Sequence, residues 1–136
     1  MAKLLSLLVL VLMVVLLIPT GLVLASQNSV PGESMYPVKR TLEQGILTLA
    51  SMTPWTKAYF QLDFSGRRYK EAKTLLANGK DAYLTLNELV VESSDAASSI
   101  DNVSLAQRQQ MRAQLIAQLE ASVRTISDHT PSQPVV

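Results

Sequence analysis

Apolar side chains fall into two patterns along this chain: one unbroken run near the start, then stripes recurring every three to four residues almost to the end. Residues 4–18 are Leu, Val, Met and Ile apart from Ser6; Pro19 and Gly21 interrupt the run, which resumes as far as Ala25. The later stripes have helical period. Val38, Leu42, Ile46 and Leu49 mark a first helix, with Ser34 as its cap and Pro37 in its first turn, where a missing backbone donor costs nothing. Thr53 and Pro54 open a second helix that runs to Asn78-Gly79, a left-handed stop. Its apolar face holds Trp55, Ala58, Tyr59, Leu62, Tyr69, Ala72 and Leu76. A third helix, starting near Asp81, turns Tyr83, Leu86, Leu89 and Val90 inward. After Asp101-Asn102-Val103 a last helix begins with Ser104 and Gln107 as a capping box and ends near His129. The expected fold is all-α, an up-and-down bundle of one short and three longer helices joined by short loops.

Finer features refine that picture. Gly45 weakens the first helix by about 1 kcal/mol relative to Ala, so a neighbouring helix is expected to cross closely there. Lys57, Asp63, Arg67, Arg68, Lys70, Glu71 and Lys73 form the other face of the second helix, read as solvated, with Asp63 and Arg67 one turn apart in the favourable order. Asp81, Glu88, Glu92 and Asp95 make an acidic stripe on the third helix. One helix face does not supply the six to eight oxygens that calcium takes, so pairing with the basic second helix across the hairpin is expected instead. Residues 93–99, rich in Ser and Ala, either fray or pack closely. Every aromatic residue lies between Tyr36 and Tyr83, which places the expected main core in the first two helices and the start of the third. The last helix offers only aliphatic groups: Leu105, Met111, Leu115, Leu119, Val123 and Ile126, with Ile116 beside them. It either packs as the fourth stave or keeps part of this stripe for a partner, and those six are the candidate partner-binding residues.

The opening run decides compartment. A short positive start (the amino terminus and Lys3), an apolar stretch and small or modest residues at Val23-Leu24-Ala25 have the order of a signal peptide cut before Ser26. The run is also close to the roughly 20 residues that span a hydrocarbon core, so an uncleaved transmembrane helix is the other reading. Both place residues 26–136 outside the cytoplasm, secreted or anchored in the cytoplasmic membrane. The domain plan is then residues 1–25 as signal peptide or membrane anchor, 26–36 as a flexible tether around Pro31-Gly32, 37–129 as the helical bundle, and 130–136 as a disordered tail.

Composition excludes several chemistries. The chain has no cysteine, hence no disulfide and no thiolate metal site. Of twelve basic residues Lys3 alone lies in residues 1–25, so the remainder carries eleven against eleven acidic ones and lacks the basic surplus of a nucleic-acid binder. His129 is the only histidine and sits beside the tail, which leaves no histidine-based triad or metal cluster. Nothing spaces Ser, Asp and Glu as a nucleophile with its base. The expectation is a protein that is not an enzyme, with no cofactor and no metal.

Pro31-Gly32-Glu33-Ser34-Met35-Tyr36-Pro37-Val38-Lys39-Arg40, followed by Leu42-Glu43 and later by Arg67-Arg68, Glu71-Ala72 and Leu75, resembles an uncharacterised family of bacterial exported helical domains. There a Pro-Gly-Asp, Leu-Tyr-Pro-Leu-Lys-Arg segment follows a leader or membrane helix. The match covers roughly residues 31–100; Glu33 stands for Asp, Met35 and Val38 for Leu, and Gly45 for a helix former. The resemblance implies an extracytoplasmic all-helical domain of unknown function and adds no chemistry. Residues 103–110 are also similar to a Leu-Thr-x-x-Gln segment of periplasmic stress chaperones, residues that a capping box explains equally well. The functional expectation is a non-catalytic extracytoplasmic interaction module that docks to an envelope protein or to itself, and contacts the membrane through its amino-terminal segment if uncleaved. The alternative is a periplasmic chaperone-like or ligand-binding bundle.

Overall fold

The computed structural model describes residues 3, 5–13 and 25–130, and no strand occurs among them. From residue 36 onward four helices follow one another: α1 (Tyr36–Ala50), α2 (Pro54–Ala77), α3 (Tyr83–Ile100) and α4 (Leu105–His129). The chain divides into two compact units, Met1–Glu43 and Gln44–Val136, and the division falls inside α1. Residues 5–13 of the apolar run are helical and exposed. Residues 14–24, with Val23 and Leu24 of the expected cleavage site, lie outside the described residues, as do residues 131–136 of the expected disordered tail. Among the described residues no helix is long and apolar enough to cross a membrane.

In the first unit, the segment expected as a flexible tether is hydrogen-bonded. Ser29 donates both its backbone N–H (3.0 Å) and its hydroxyl (2.6 Å) to the Ser26 carbonyl. Val30-Pro31-Gly32-Glu33 then forms a type II turn. The Glu33 N–H reaches the Val30 carbonyl at 3.1 Å, proline holds the second position, and Gly32 has φ +96°, where a side chain would be strained. Glu33 closes the turn from the other side, its carboxylate accepting the Val30 N–H at 3.0 Å. One turn into α1, Lys39 is buried and donates to the Ser29 carbonyl at 3.1 Å. The turn glycine, the turn acid and the helix lysine thus fix the entry into α1. A segment read as polar linker is tied down because its polar groups have partners within ten residues.

The second unit starts with the end of α1. Thr53 caps α2, its hydroxyl accepting the Thr56 N–H at 3.2 Å, and Pro54 follows as the first helical residue. At the other end the Gly79 N–H reaches the Leu76 carbonyl (3.0 Å) and the Lys80 N–H the Leu75 carbonyl (2.9 Å), with Gly79 at φ +65°. That is the paired Schellman closure the Asn78-Gly79 sequence calls for. Asp81 takes the Tyr83 N–H at 2.9 Å and starts α3. Ser104 precedes α4, but its hydroxyl bonds the Gln107 side chain at 2.9 Å and no backbone donor, so the reciprocal capping box does not form.

The α2–α3 hairpin packs along most of its length, and α4 meets both helices over a shorter span, running parallel to α2. The core joins all three, with Ala58 and Leu62 of α2, Ala96 and Ile100 of α3, Val103, and Met111 and Leu115 of α4. It is aliphatic, and of the residues expected to build an aromatic core only Phe64 is buried. Trp55, Tyr59, Tyr83 and Val90 are exposed instead of inward. The cause on α3 is its inward line, Thr85, Leu89, Ser93, Ala96 and Ile100, spaced by three and four and small at three of its five positions. Small groups let two helix backbones approach, and the larger Tyr83 and Val90 are turned out. Gly45 has open space around it, so the close crossing expected there is absent. The tight approach is at Gly66, where a Cβ would stand 3.0 Å from the Gln118 side-chain oxygen.

Candidate functional site

Two features of the second unit stand apart from an ordinary packed bundle. The first is a buried charge. Arg68, expected on the solvated face of α2, is fully enclosed, and Glu71 beside it is also buried, so the solvated-face reading is corrected for both. Arg68 Nη1 lies 3.0 Å from a Glu71 carboxylate oxygen and 3.8 Å from Glu88, and its Nε is 3.7 Å from Glu92. The expected pairing of the acidic stripe of α3 with the basic helix therefore occurs at Glu88 and Glu92. Its neighbour Arg67 behaves as the sequence indicates, bonding Asp63 at 2.9 Å at the surface. Among the described residues no group of three or more histidine, aspartate and glutamate side chains is arranged to hold a metal ion.

The second feature is the rotation of α4. At about 100° per residue the stripe from Met111 through Leu115, Leu119 and Val123 to Ile116 sweeps an arc of about 140°. Only the first part of that arc faces the bundle. Beyond Leu115 the inward positions are Gln118, Ser122 and Thr125. Gln118 donates to the buried Ser65 hydroxyl at 2.7 Å, and Thr125 shares a hydrogen bond of 3.0 Å with the Tyr69 hydroxyl of α2. Ser122 is buried and returns its hydroxyl to the Gln118 carbonyl at 2.8 Å. The aliphatic residues of this half point away from the body: Ile116 is 57% exposed, Val123 63%, Ile126 37% and Leu119 36%. Ile116, Leu119 and Val123 border a shallow apolar depression together with Glu120 and Arg124, which lie 4.0 Å apart at its rim.

The six candidate partner-binding residues therefore do not form one face. Met111 and Leu115 belong to the core and are withdrawn from any partner. Leu119, Val123 and Ile126 share the exposed stripe with Ile116, and Leu105 is exposed about three turns before it. The sequence reading passed over the inward polar set, Ser65, Tyr69, Gln118, Ser122 and Thr125. The signal that could have found it is the small or polar residue at 65 and 122 next to Gly66. His129, in the last turn of α4, has Nδ1 2.8 Å from the Thr125 carbonyl, a helix-end contact.

A family model described as a domain of unknown function (DUF5667) covers residues 28–126, and so includes the turn at 30–33 and all but the end of α4. No curated protein and no solved structure matches the chain.

Proposed function

Because the chain belongs to the DUF5667 family, whose function is not assigned, we propose a function from its own geometry. It is a non-catalytic helical interaction module, held outside the cytoplasm, that seats an amphipathic helix of an envelope protein along the outer stripe of α4. The observation that carries this reading is the inverted polarity of that half-helix, with Gln118, Ser122 and Thr125 turned in and Ile116, Leu119, Val123 and Ile126 turned out. Spacings of three, four and three residues are what a facing helix reads as anchor positions. The seam spans ten residues, about 15 Å of helix. Four side chains fall well short of the roughly 800 Å² per partner of a standard stable interface. A second copy meeting this stripe alone would therefore be held weakly, and a larger protein that adds contacts around the rim is the better occupant. Export rests on the apolar run at residues 4–25 and its short basic start.

A photoreactive residue placed at Val123 in the full chain, irradiated in intact cells, tests the docking. The expected product is one discrete adduct with an envelope protein, absent when the probe is placed at the exposed Gln110 on the opposite side of α4. Adducts confined to the same monomer would overturn the reading. Adducts to a second copy alone would replace the envelope partner with self-association.

A further inference from the structure

We infer that the end of the helical unit formed by the α1–α2 turn is a second interaction surface, and that its partner is an anionic lipid surface. Leu49 (73% exposed), Met52 (84%), Trp55 (43%) and Tyr59 (48%) are large side chains left in water around one short connection, residues 51–53. Trp55 and Tyr59 stack with centroids 5.5 Å apart, so the two rings move as one plate. Exposed apolar groups in such a cluster mark a protein or membrane contact.

Three observations favour a bilayer. The patch sits on a short turn between helices with its large side chains in water, whereas small-molecule sites are concave and protein hot spots sit in enclosed pockets. Its composition is that of a membrane interface: aliphatic groups at the tip, and a Trp and a Tyr behind them whose rings are apolar with one polar edge. Charge at the same end is complementary to anionic head groups. Ala58, Ile100 and Val103 share one core cluster, so the α3–α4 turn and the exposed Leu105 lie at the end where α2 begins. Residues 44–58 and 98–112 together carry Lys57, Arg108 and Arg112 against a single acid, Asp101, which pairs with Arg112. Lys57 and the Arg108 guanidinium, the latter donating to the Val103 carbonyl at 3.1 Å, leave this end positive. The surface is separate from the stripe of α4, which lies toward the other end of that helix.

Trp55 is the only tryptophan in the chain, so its emission reports this corner even if the amino-terminal run inserts on its own account. The experiment reconstitutes the full chain into vesicles of phosphatidylglycerol with phosphatidylethanolamine, in parallel with phosphatidylcholine alone, each with and without bromine-labelled acyl chains. The expected result is a blue shift of Trp55 emission, quenching by the brominated lipid, and protection from aqueous iodide, all stronger in the anionic vesicles. Leu49→Glu with Met52→Glu removes the quenching while the far-ultraviolet circular dichroism stays unchanged, because both side chains are already in water. Equal iodide access with and without lipid overturns the inference, as does quenching that survives the double substitution. A blue shift without bromolipid quenching overturns it in favour of a protein contact.

Discussion

Replacing Arg68 by leucine tests whether the charge cluster is as enclosed as its geometry states. The guanidinium has no exposed surface, and its first partner, Glu71 at 3.0 Å, is also buried. Glu88, at 3.8 Å, keeps contact with water and re-solvates at lower cost, whereas the Glu92 oxygen at 3.7 Å is itself buried. Removing one partner of a buried pair strands the other, which costs about 3–5 kcal/mol. Small domains have a total stability of roughly 5–15 kcal/mol, so the loss is a large share of the whole. For a unit of this size each kcal/mol shifts the midpoint by about 4–8 °C, giving a drop on the order of 15–30 °C. Arg67→Ala is the internal comparison: same helix, adjacent position, but a surface pair with Asp63 worth only a few tenths of a kcal/mol. Urea unfolding and thermal unfolding, both followed at 222 nm, measure the two variants. Adding Glu71→Leu to Arg68→Leu removes the stranded carboxylate and is expected to restore more than half of the loss, since a buried pair replaced by apolar groups is often neutral. If Arg68→Leu unfolds no earlier than Arg67→Ala, the cluster is wet in solution and the packing described around α2 is wrong.

The glycines give a second set of tests by the same urea midpoint. Gly45→Ala is expected to stabilise by about 1 kcal/mol, because the site is an open helix interior. Gly66→Ala has the same propensity in its favour and is expected to show no gain, because the new Cβ displaces the Gln118 amide from its bond to Ser65. Gly79→Ala is expected to cost about 1 kcal/mol, since φ +65° strains any side chain there. On the stripe, Val123→Asp is expected to leave unfolding within about 0.5 kcal/mol of the parent while abolishing crosslinks from a photoreactive residue at 116.

What the sequence discloses here is local. Thr53-Pro54 and Asn78-Gly79 place the ends of α2 because each cap is completed by backbone within a few residues. The pairing of α3 with the basic helix is legible at Glu88 and Glu92 because charge and hairpin connection both point the same way. Rotation about a helix axis is not local. Arg67 and Arg68 are equivalent as sequence, and only the line Ala58, Leu62, Ser65, Arg68, Ala72, Leu75, small on both sides of the arginine, shows which one is drawn inside. The aromatic residues misled for a related reason. Large rings read as core formers, but the hairpin closes through Ala96, Ser93 and Thr85, and Trp55, Tyr59 and Tyr83 stay outside. Pro31-Gly32 read as a spacer because its partners, Glu33 and Lys39, are side chains whose reach the polar pattern does not reveal.

The outward stripe of α4 follows from the same rotational constraint. Met111 and Leu115 are locked in the core cluster, and a continuous helix carries that orientation forward, so positions 118, 122 and 125 must face the body whatever their chemistry. Turning the distal half by about 100° would bury Leu119 and Val123, each worth roughly 1.5–3 kcal/mol when fully enclosed. It would also orphan Gln118 and the buried Ser65, at about 1–3 kcal/mol for each unpaired buried group, and it would need a break in a helix that has none. Matched polar groups on α2, Ser65 against Gln118 and Tyr69 against Thr125, make the observed setting self-consistent. The exposed aliphatic seam is therefore fixed by the fold itself. A partner that covers it meets a surface already in place and need not reorganise the bundle to bind.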